Sequence, residues 1–250
     1  VLVTSNFDNV GSLPCNTSIG GPAKGIIVRE IDALGGQMPK TADKTYLQMK
    51  MLNTAKGPGV QSLRAQADKK VYPRYMQEVL KKQENLDIIE GMVEDLIVED
   101  NCVKGVILDN GQTIEGRMVI LTTGTYLKAE ILCGDQKHAS GPDQQKESKY
   151  LSEKLANLGM RIQRLKTGTP PRVEINSVDY SKTSLQPGTD ANLAFSYQTN
   201  EFIPIEEQTP CYLTYTNEKT HQIIRDNLHR SSMYSGIVKG IGPRYCPSIE

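Results

Sequence analysis

The sequence predicts an α/β fold: a doubly wound sheet with a meander as one crossover, followed by an antiparallel region. Three observations predict it. Residues 1–4 read as a short buried strand that leads, through the loop Ile19-Gly20-Gly21-Pro22, into an amphipathic helix. The run Met118-Val119-Ile120-Leu121 is continuously apolar, as in a strand covered on both faces, and it stops at Thr122-Thr123-Gly124-Thr125. After Pro170-Pro171, polar and apolar residues alternate through Phe195, Tyr197, Tyr212, Leu213 and Tyr215. Ligands of doubly wound sheets lie beyond the carboxyl ends of the parallel strands, which is where Thr122–Thr125 falls.

The elements follow in order. In the first helix Ile27, Val28, Ile31 and Leu34 share one face, and Gly35-Gly36 supplies the stop. The small-residue loop that opens it would suit an anion, or be a plain flexible loop. Residues 37–59 read as loop, ending in Lys56-Gly57-Pro58-Gly59. Residues 60–82 predict a helix with Val60, Leu63, Ala67 and Val71 inward and a kink at Pro73. Strands are expected at 86–90, 92–99 and 103–108, and Asp109-Asn110-Gly111 makes the last a hairpin with 112–115. A helix over 146–158 carries Leu151, Leu155 and Leu158 on one face, with Gly159 as its stop. A strand over 160–165 precedes Lys166-Thr167-Gly168-Thr169-Pro170-Pro171-Arg172, a rigid turn that reads as a hinge leaving the first domain. A short helix is expected over 220–228.

Composition bounds the function. Lys and Arg total 29, as do Asp and Glu, so no global basic excess points to nucleic acid, although a local patch is compatible with that balance. No apolar run approaches the roughly 20 residues that cross a bilayer. The five cysteines, Cys15, Cys102, Cys133, Cys211 and Cys246, form no CxxC, which fits a reducing cytosol. His138, His221 and His229 are scattered and show no metal-ligand spacing, so no metal is expected. The chain opens in a strand without an initiator Met and stops without a closing element, so a fragment of a longer protein is expected.

Several stretches resemble the GidA/MnmG family of tRNA uridine 5-carboxymethylaminomethyl modification enzymes. They are Cys15-Asn16 with Ile19-Gly20-Gly21, residues 29–36 (REIDALGG), Lys56-Gly57-Pro58, residues 64–68 (RAQAD), residues 121–125 (LTTGT), residues 166–172 (KTGTPPR) and residues 242–250 (GPRYCPSIE). They run in order along the whole chain. The resemblance implies an FAD-binding doubly wound domain of the Rossmann-like, glutathione-reductase type, with an inserted antiparallel β-rich domain. It implies boundaries of 1–168 for the FAD-binding domain, lacking its N-terminal glycine-rich fingerprint, and 169–250 for an incomplete inserted, NAD-binding domain. The implied activity adds a carboxymethylaminomethyl or aminomethyl group to C5 of the wobble uridine, with methylenetetrahydrofolate as one-carbon donor, glycine or ammonium as amine, and NADH as reductant. The implied partners are tRNA, the MnmE GTPase and a second copy in a homodimer, in the cytoplasm.

The resemblance also places residues. Cys15 and Cys246 fall on the family's catalytic cysteines. Flavin contacts are implied for Val93, Ser148 and the backbone around Thr123-Gly124. The NAD region begins at Gly242 and takes in Pro243, Arg244, Tyr245 and Cys246. Gly59 and Gln61 depart from the Ala and basic residue expected there, and Pro142-Asp143-Gln144-Gln145 departs from an Arg-containing loop. The chemistry asks for a nucleophile at C6 of uracil to raise electron density at C5, and a thiolate is both nucleophilic and a good leaving group. Arg244 stands beside Cys246, and Cys15 precedes the first helix, both settings that suit such a thiol. Lys166, Arg172 and Arg244 are candidate phosphate or tRNA contacts. The nearest rival is the folate- and FAD-dependent methyltransferase that acts on a T-loop uridine. A flavoprotein disulfide reductase is disfavoured by the missing CxxC, and a pure binding module would hold no flavin.

Overall fold

The computed structural model describes residues 1–232 and 234–237. In chain order the elements are β1 (Leu2–Thr4), β2 (Ser18–Gly20), α1 (Lys24–Ala33), α2 (Met38–Thr45), β3 (Tyr46–Leu52), β4 (Ser62–Ala67) and α3 (Val71–Lys81). Then come β5 (Ile88–Glu90), β6 (Val93–Glu99), β7 (Cys102–Leu108), β8 (Thr113–Glu115), β9 (Glu130–Cys133), β10 (Gln136–Ala139) and α4 (Leu151–Asn157). β11 (Ser184–Gln186), β12 (Cys211–Leu213) and α5 (Glu218–Asn227) complete the set. The content is mixed α/β, as the sequence predicts. Two compact units form: one from Val1–Phe7, Leu86–Thr169 and the described residues from Thr216 on, the other from Asp8–Asn85 and Pro170–Tyr215.

In the first unit β1 pairs in parallel with β5. The meander β6-β7-β8 is antiparallel, as expected, and β9 and β10 form a separate antiparallel pair. The Asp109-Asn110-Gly111 turn closes β7 onto β8, with Gly111 in the left-handed region at φ +81° and its N–H donating to the Leu108 carbonyl at 3.0 Å. Met92, Val106 and Leu108 are buried, as are Leu151 and Leu155 of α4, which packs on β6.

The strand expected at 118–121 does not form. Met118 and Ile120 are each 85% exposed and join no ladder. An apolar run becomes a central strand only where neighbours cover both faces, and among the described residues nothing pairs with it. Residues 160–165 likewise form no strand; Met160, Ile162 and Leu165 are exposed. Parallel pairing among the described strands is confined to β1 and β5, beside one isolated parallel bridge between Leu127 and Ser148.

In the second unit β4 is the centre of an antiparallel sheet ordered β2-β4-β3. This overturns the helix expected from residue 60. Leu63 and Ala67 stand at helical spacing, but Leu63, Ala65 and Ala67 also alternate, and all three are buried on one strand. The helix begins only at Val71, so Pro73 sits in its first turn, where no hydrogen bond to a preceding carbonyl is lost and no kink follows. Residues 37–59 are not a plain loop either: they hold α2 and β3. Helix α2 is polar in composition yet buries Pro39, Thr41, Ala42, Asp43 and Thr45. It can do so because its polar atoms are bonded: Thr45 Oγ1 donates to the Thr41 carbonyl at 2.7 Å and Gln37 Nε2 to Thr41 Oγ1 at 3.1 Å.

The segment 170–215 packs with 8–85, across the boundary expected at 168/169, because it covers the outer edge of β3. Thr189 and Thr209 donate their N–H groups to the Met49 and Leu47 carbonyls at 3.0 and 2.8 Å. Met49 N–H donates to Gln208 Oε1 at 3.0 Å and Met51 N–H to Thr189 Oγ1 at 3.0 Å. An edge strand satisfied in this way offers no free ladder. The core gathers Ile19, Val28, Tyr46, Met49, Leu63, Tyr72 and Phe195.

Candidate functional site

Cys15 lies in the second unit, in the loop before β2, half-buried and without a disulfide. It does not abut the first helix, as the sequence suggested, because residues 18–20 are taken up as a strand and α1 starts at Lys24. Its neighbours are tethered. Asn16 Oδ1 accepts the Ser18 N–H at 2.8 Å, the Thr17 carbonyl accepts the Ala67 N–H at 2.8 Å, and the Cys15 carbonyl accepts from Arg172 Nη2 at 3.2 Å. Sequence reasoning singled out both Cys15 and Arg172 but not their contact, which spans 157 positions.

The glycines of the following loop are committed to packing. Gly20 has φ +117°, and a Cβ there would stand 2.1 Å from the Leu63 carbonyl oxygen. The Gly21 N–H donates to that same oxygen at 2.7 Å, and the Gly25 N–H to the Gly21 carbonyl at 2.8 Å. The loop thus closes on β4, which favours the packing reading over an anion cradle. Beside it, a cavity of about 290 Å³ is lined by Gly25, Ile26, Arg29, Met51, Pro58, Gln61, Ser62 and Leu63. Cys15 is not part of that lining.

Helix α1 turns a different stripe inward from the one its apolar residues mark. Val28 is buried, but Ile27 is exposed and Leu34 is 89% exposed. The inward line is Gly25, Val28, Arg29 and Asp32, whose polar members hold residues 194–197. Arg29 Nη2 donates to the Ala194 carbonyl at 3.1 Å, its guanidinium stacks 5.8 Å from the Tyr197 ring centre, and Asp32 Oδ2 accepts the Tyr197 N–H at 3.0 Å. Asp43 of α2 binds the same loop. Burial, the largest influence, pushes its carboxyl above the usual carboxylate range; hydrogen bonds from the loop pull the other way, and the nearby Asp32 charge adds to the rise.

In the first unit the structure gathers the expected flavin contacts. Ser148 Oγ donates to the Val93 carbonyl at 3.3 Å. Ser148 also bridges Leu127: its N–H donates to the Tyr126 carbonyl at 2.9 Å, and its carbonyl accepts the Lys128 N–H at 2.7 Å. With both backbone groups so engaged Ser148 is not helical, which is why α4 starts at Leu151 rather than at 146. The Tyr126 N–H donates to the Thr123 carbonyl at 3.3 Å and Tyr126 Oη to Gln145 Oε1 at 2.6 Å, tying the Thr123-Gly124 turn to the same spot. Gly124 is exposed at φ +56°, and only the Tyr126 ring comes within 4 Å of where a Cβ would stand.

The Ser148 N–H, carbonyl and hydroxyl are thus engaged within the chain, and what stays open here is the exposed Gly124 turn, where the backbone could be approached closely by a flavin edge. Gly242, Pro243, Arg244, Tyr245 and Cys246 lie outside the described residues. Lys166 belongs to the first unit and Arg172 to the second. Among the described residues no group of acidic, histidine and cysteine side chains could hold a metal, and no helix is long and apolar enough to cross a membrane.

The described residues thus place a tethered cysteine loop in the second unit and an exposed glycine turn in the first, within a chain of mixed α/β content. The chain belongs to the glucose inhibited division protein A family, whose model matches residues 1–250. It is 58% identical over 250 residues to the Geobacillus kaustophilus protein named tRNA uridine 5-carboxymethylaminomethyl modification enzyme MnmG, covering 100% of this chain and 39% of that one. A Bacillus subtilis protein of the same name is 56% identical over 250 residues, covering 100% of this chain and 40% of that one. The structure of Aquifex aeolicus GidA superposes with a TM-score of 0.89 at 47% identity, covering 99% of this chain and 42% of that one. The chain therefore spans about two fifths of the length of the relatives it matches.

Proposed function

We propose that this chain is part of an FAD-dependent enzyme that adds a carboxymethylaminomethyl or aminomethyl group to C5 of the wobble uridine of tRNA. The observation that carries the reading is 58% identity across all 250 residues to a relative named for that activity. That identity favours this reading over the methyltransferase alternative.

In this reading the two units divide the work. The first belongs to a doubly wound FAD-binding domain, in which the Val93 and Thr123-Gly124 backbone and the Ser148 hydroxyl hold the flavin. The second presents Cys15. The Gly242–Cys246 stretch begins the NADH region. Either Cys15 or Cys246 attacks C6 of uracil as a thiolate. The C–S bond forms, the C5=C6 electron pair moves into the enolate, and C5 bonds to the one-carbon unit from methylenetetrahydrofolate. Loss of the C5 proton then expels the thiolate and restores the double bond, and the nitrogen of glycine or ammonium displaces tetrahydrofolate from the methylene, one C–N bond forming as the other breaks. The flavin, when bound, supplies the hydride chemistry no side chain can, with NADH as reductant. Glycine or ammonium provides the amine, the MnmE GTPase is the partner, and the working form is a homodimer in the cytoplasm.

The test uses the full-length protein with its GTPase partner, methylenetetrahydrofolate, glycine, NADH and unmodified tRNA, followed by mass spectrometry of nuclease fragments. An aminomethyl-type adduct on the anticodon fragment is expected. A single methyl group on the T-loop fragment would mean that the methyltransferase reading is right.

A further inference from the structure

We infer that Arg172 is a positioning residue for Cys15, a role that rests on the proposal that Cys15 reacts. The loop carrying Cys15 is tethered at several points, and the tethers differ in kind. Asn16 with Ser18 is local, and Thr17 with Ala67 extends the β2–β4 ladder by one bond. Neither fixes the peptide that follows Cys15. Arg172 does, because its guanidinium donates to the Cys15 carbonyl at 3.2 Å. That bond sets the plane of the 15–16 peptide and with it the direction in which the Cys15 side chain leaves the backbone.

Arg172 is itself prepared for the task. Pro170 and Pro171 precede it, and their rings fix φ, so the segment loses little freedom when the guanidinium docks. Arg172 forms no ion pair among the described residues, so no carboxylate competes for its fork. Both residues belong to the second compact unit. A lysine could carry the charge but not the flat, multi-donor geometry. This assigns the Arg of the Thr169-Pro170-Pro171-Arg172 turn to the nucleophile's loop rather than to RNA.

The test compares full-length wild type with Arg172→Ala and Arg172→Lys in the tRNA-modification assay. Loss of one charge-assisted hydrogen bond predicts a fall in kcat of about tenfold for Arg172→Ala, with the KM for tRNA unchanged. Free guanidinium at millimolar concentration restores part of the rate, and Arg172→Lys falls between the two. A rise in KM with kcat intact would make Arg172 an RNA contact and overturn the inference. So would a loss that tracks the melting temperature and resists guanidinium. Cys15→Ser is assayed alongside; full activity there sinks the catalytic role of Cys15, not the contact. The contact is then read from iodoacetamide labelling resolved by peptide mass spectrometry. In Arg172→Ala the Cys15 rate must change while that of Cys211, in the same unit, does not; an unchanged Cys15 rate overturns the inference.

Discussion

Asp43 on α2 holds Phe195 from 152 positions away: its Oδ1 accepts the Phe195 N–H at 2.9 Å, while the Phe195 ring is fully buried in the core. Its Oδ2 accepts the Ser196 N–H at 2.8 Å and the Thr199 hydroxyl at 2.7 Å. One carboxylate thus anchors the returning 170–215 segment onto the second unit. Asp43→Ala would leave these donors without an acceptor, at a cost of about 3 kcal/mol. Denaturant unfolding measures the loss, and limited proteolysis should locate new cleavage near residues 193–199. Unchanged stability would show that water replaces the carboxylate.

The pH dependence of the same residue has a definite sign. Asp43 is raised above the ordinary 3.8, chiefly by burial. Its contribution to stability is therefore fully present below 3.8 and is lost as pH rises through the raised folded value. Asp68 behaves oppositely: N–H donation from Val71, then from Lys70, lowers it below 3.8. Its contribution is present above 3.8 and is lost as pH falls through the lowered folded value. Unfolding curves taken across this range should show the advantage of wild type over Asp43→Asn growing on acidification. The advantage over Asp68→Ala, about 1 kcal/mol at neutral pH for a helix-start cap, should shrink.

Adjacent glycines should respond unequally. Gly21→Ala meets open space and pays only for its left-handed backbone at φ +92°, about 1–2 kcal/mol. Gly20→Ala carries the same kind of strain and also drives a methyl into the Leu63 carbonyl, so β2 must part from β4. The melting temperature of Gly20→Ala should fall well below that of Gly21→Ala. Equal shifts would mean that β2 moves freely.

Ser148→Ala tests the cofactor surface. It removes the hydroxyl bond to the Val93 carbonyl while leaving the backbone bridge to Leu127. In the full-length protein flavin affinity should weaken about fivefold, the worth of one hydrogen bond, with little change in melting temperature. Flavin fluorescence titration reads it. Unaltered affinity would remove Ser148 from the flavin contacts.

The sequence by itself determined much of the first unit, because its signals are local. The 109–111 turn, the short strand runs on its N-terminal side, and the Leu151–Leu155 spacing each specify an element without distant help. The family motifs were likewise legible, since they are contiguous. What only the tertiary structure decided is where a pattern had two solutions or depended on a distant partner. Leu63, Ala65 and Ala67 suit helix or strand, and β2 and β3 on either side made them a strand. Residues 37–45 look like loop until Asp43 meets the Phe195 and Ser196 amides, which makes a polar helix safe to bury. The apolar run at 118–121 named a central strand, but burial needs neighbours, and none of the described residues supplies them. Arg172 meets Cys15 only in the folded chain. A hydrogen bond across 157 positions leaves no periodicity to read.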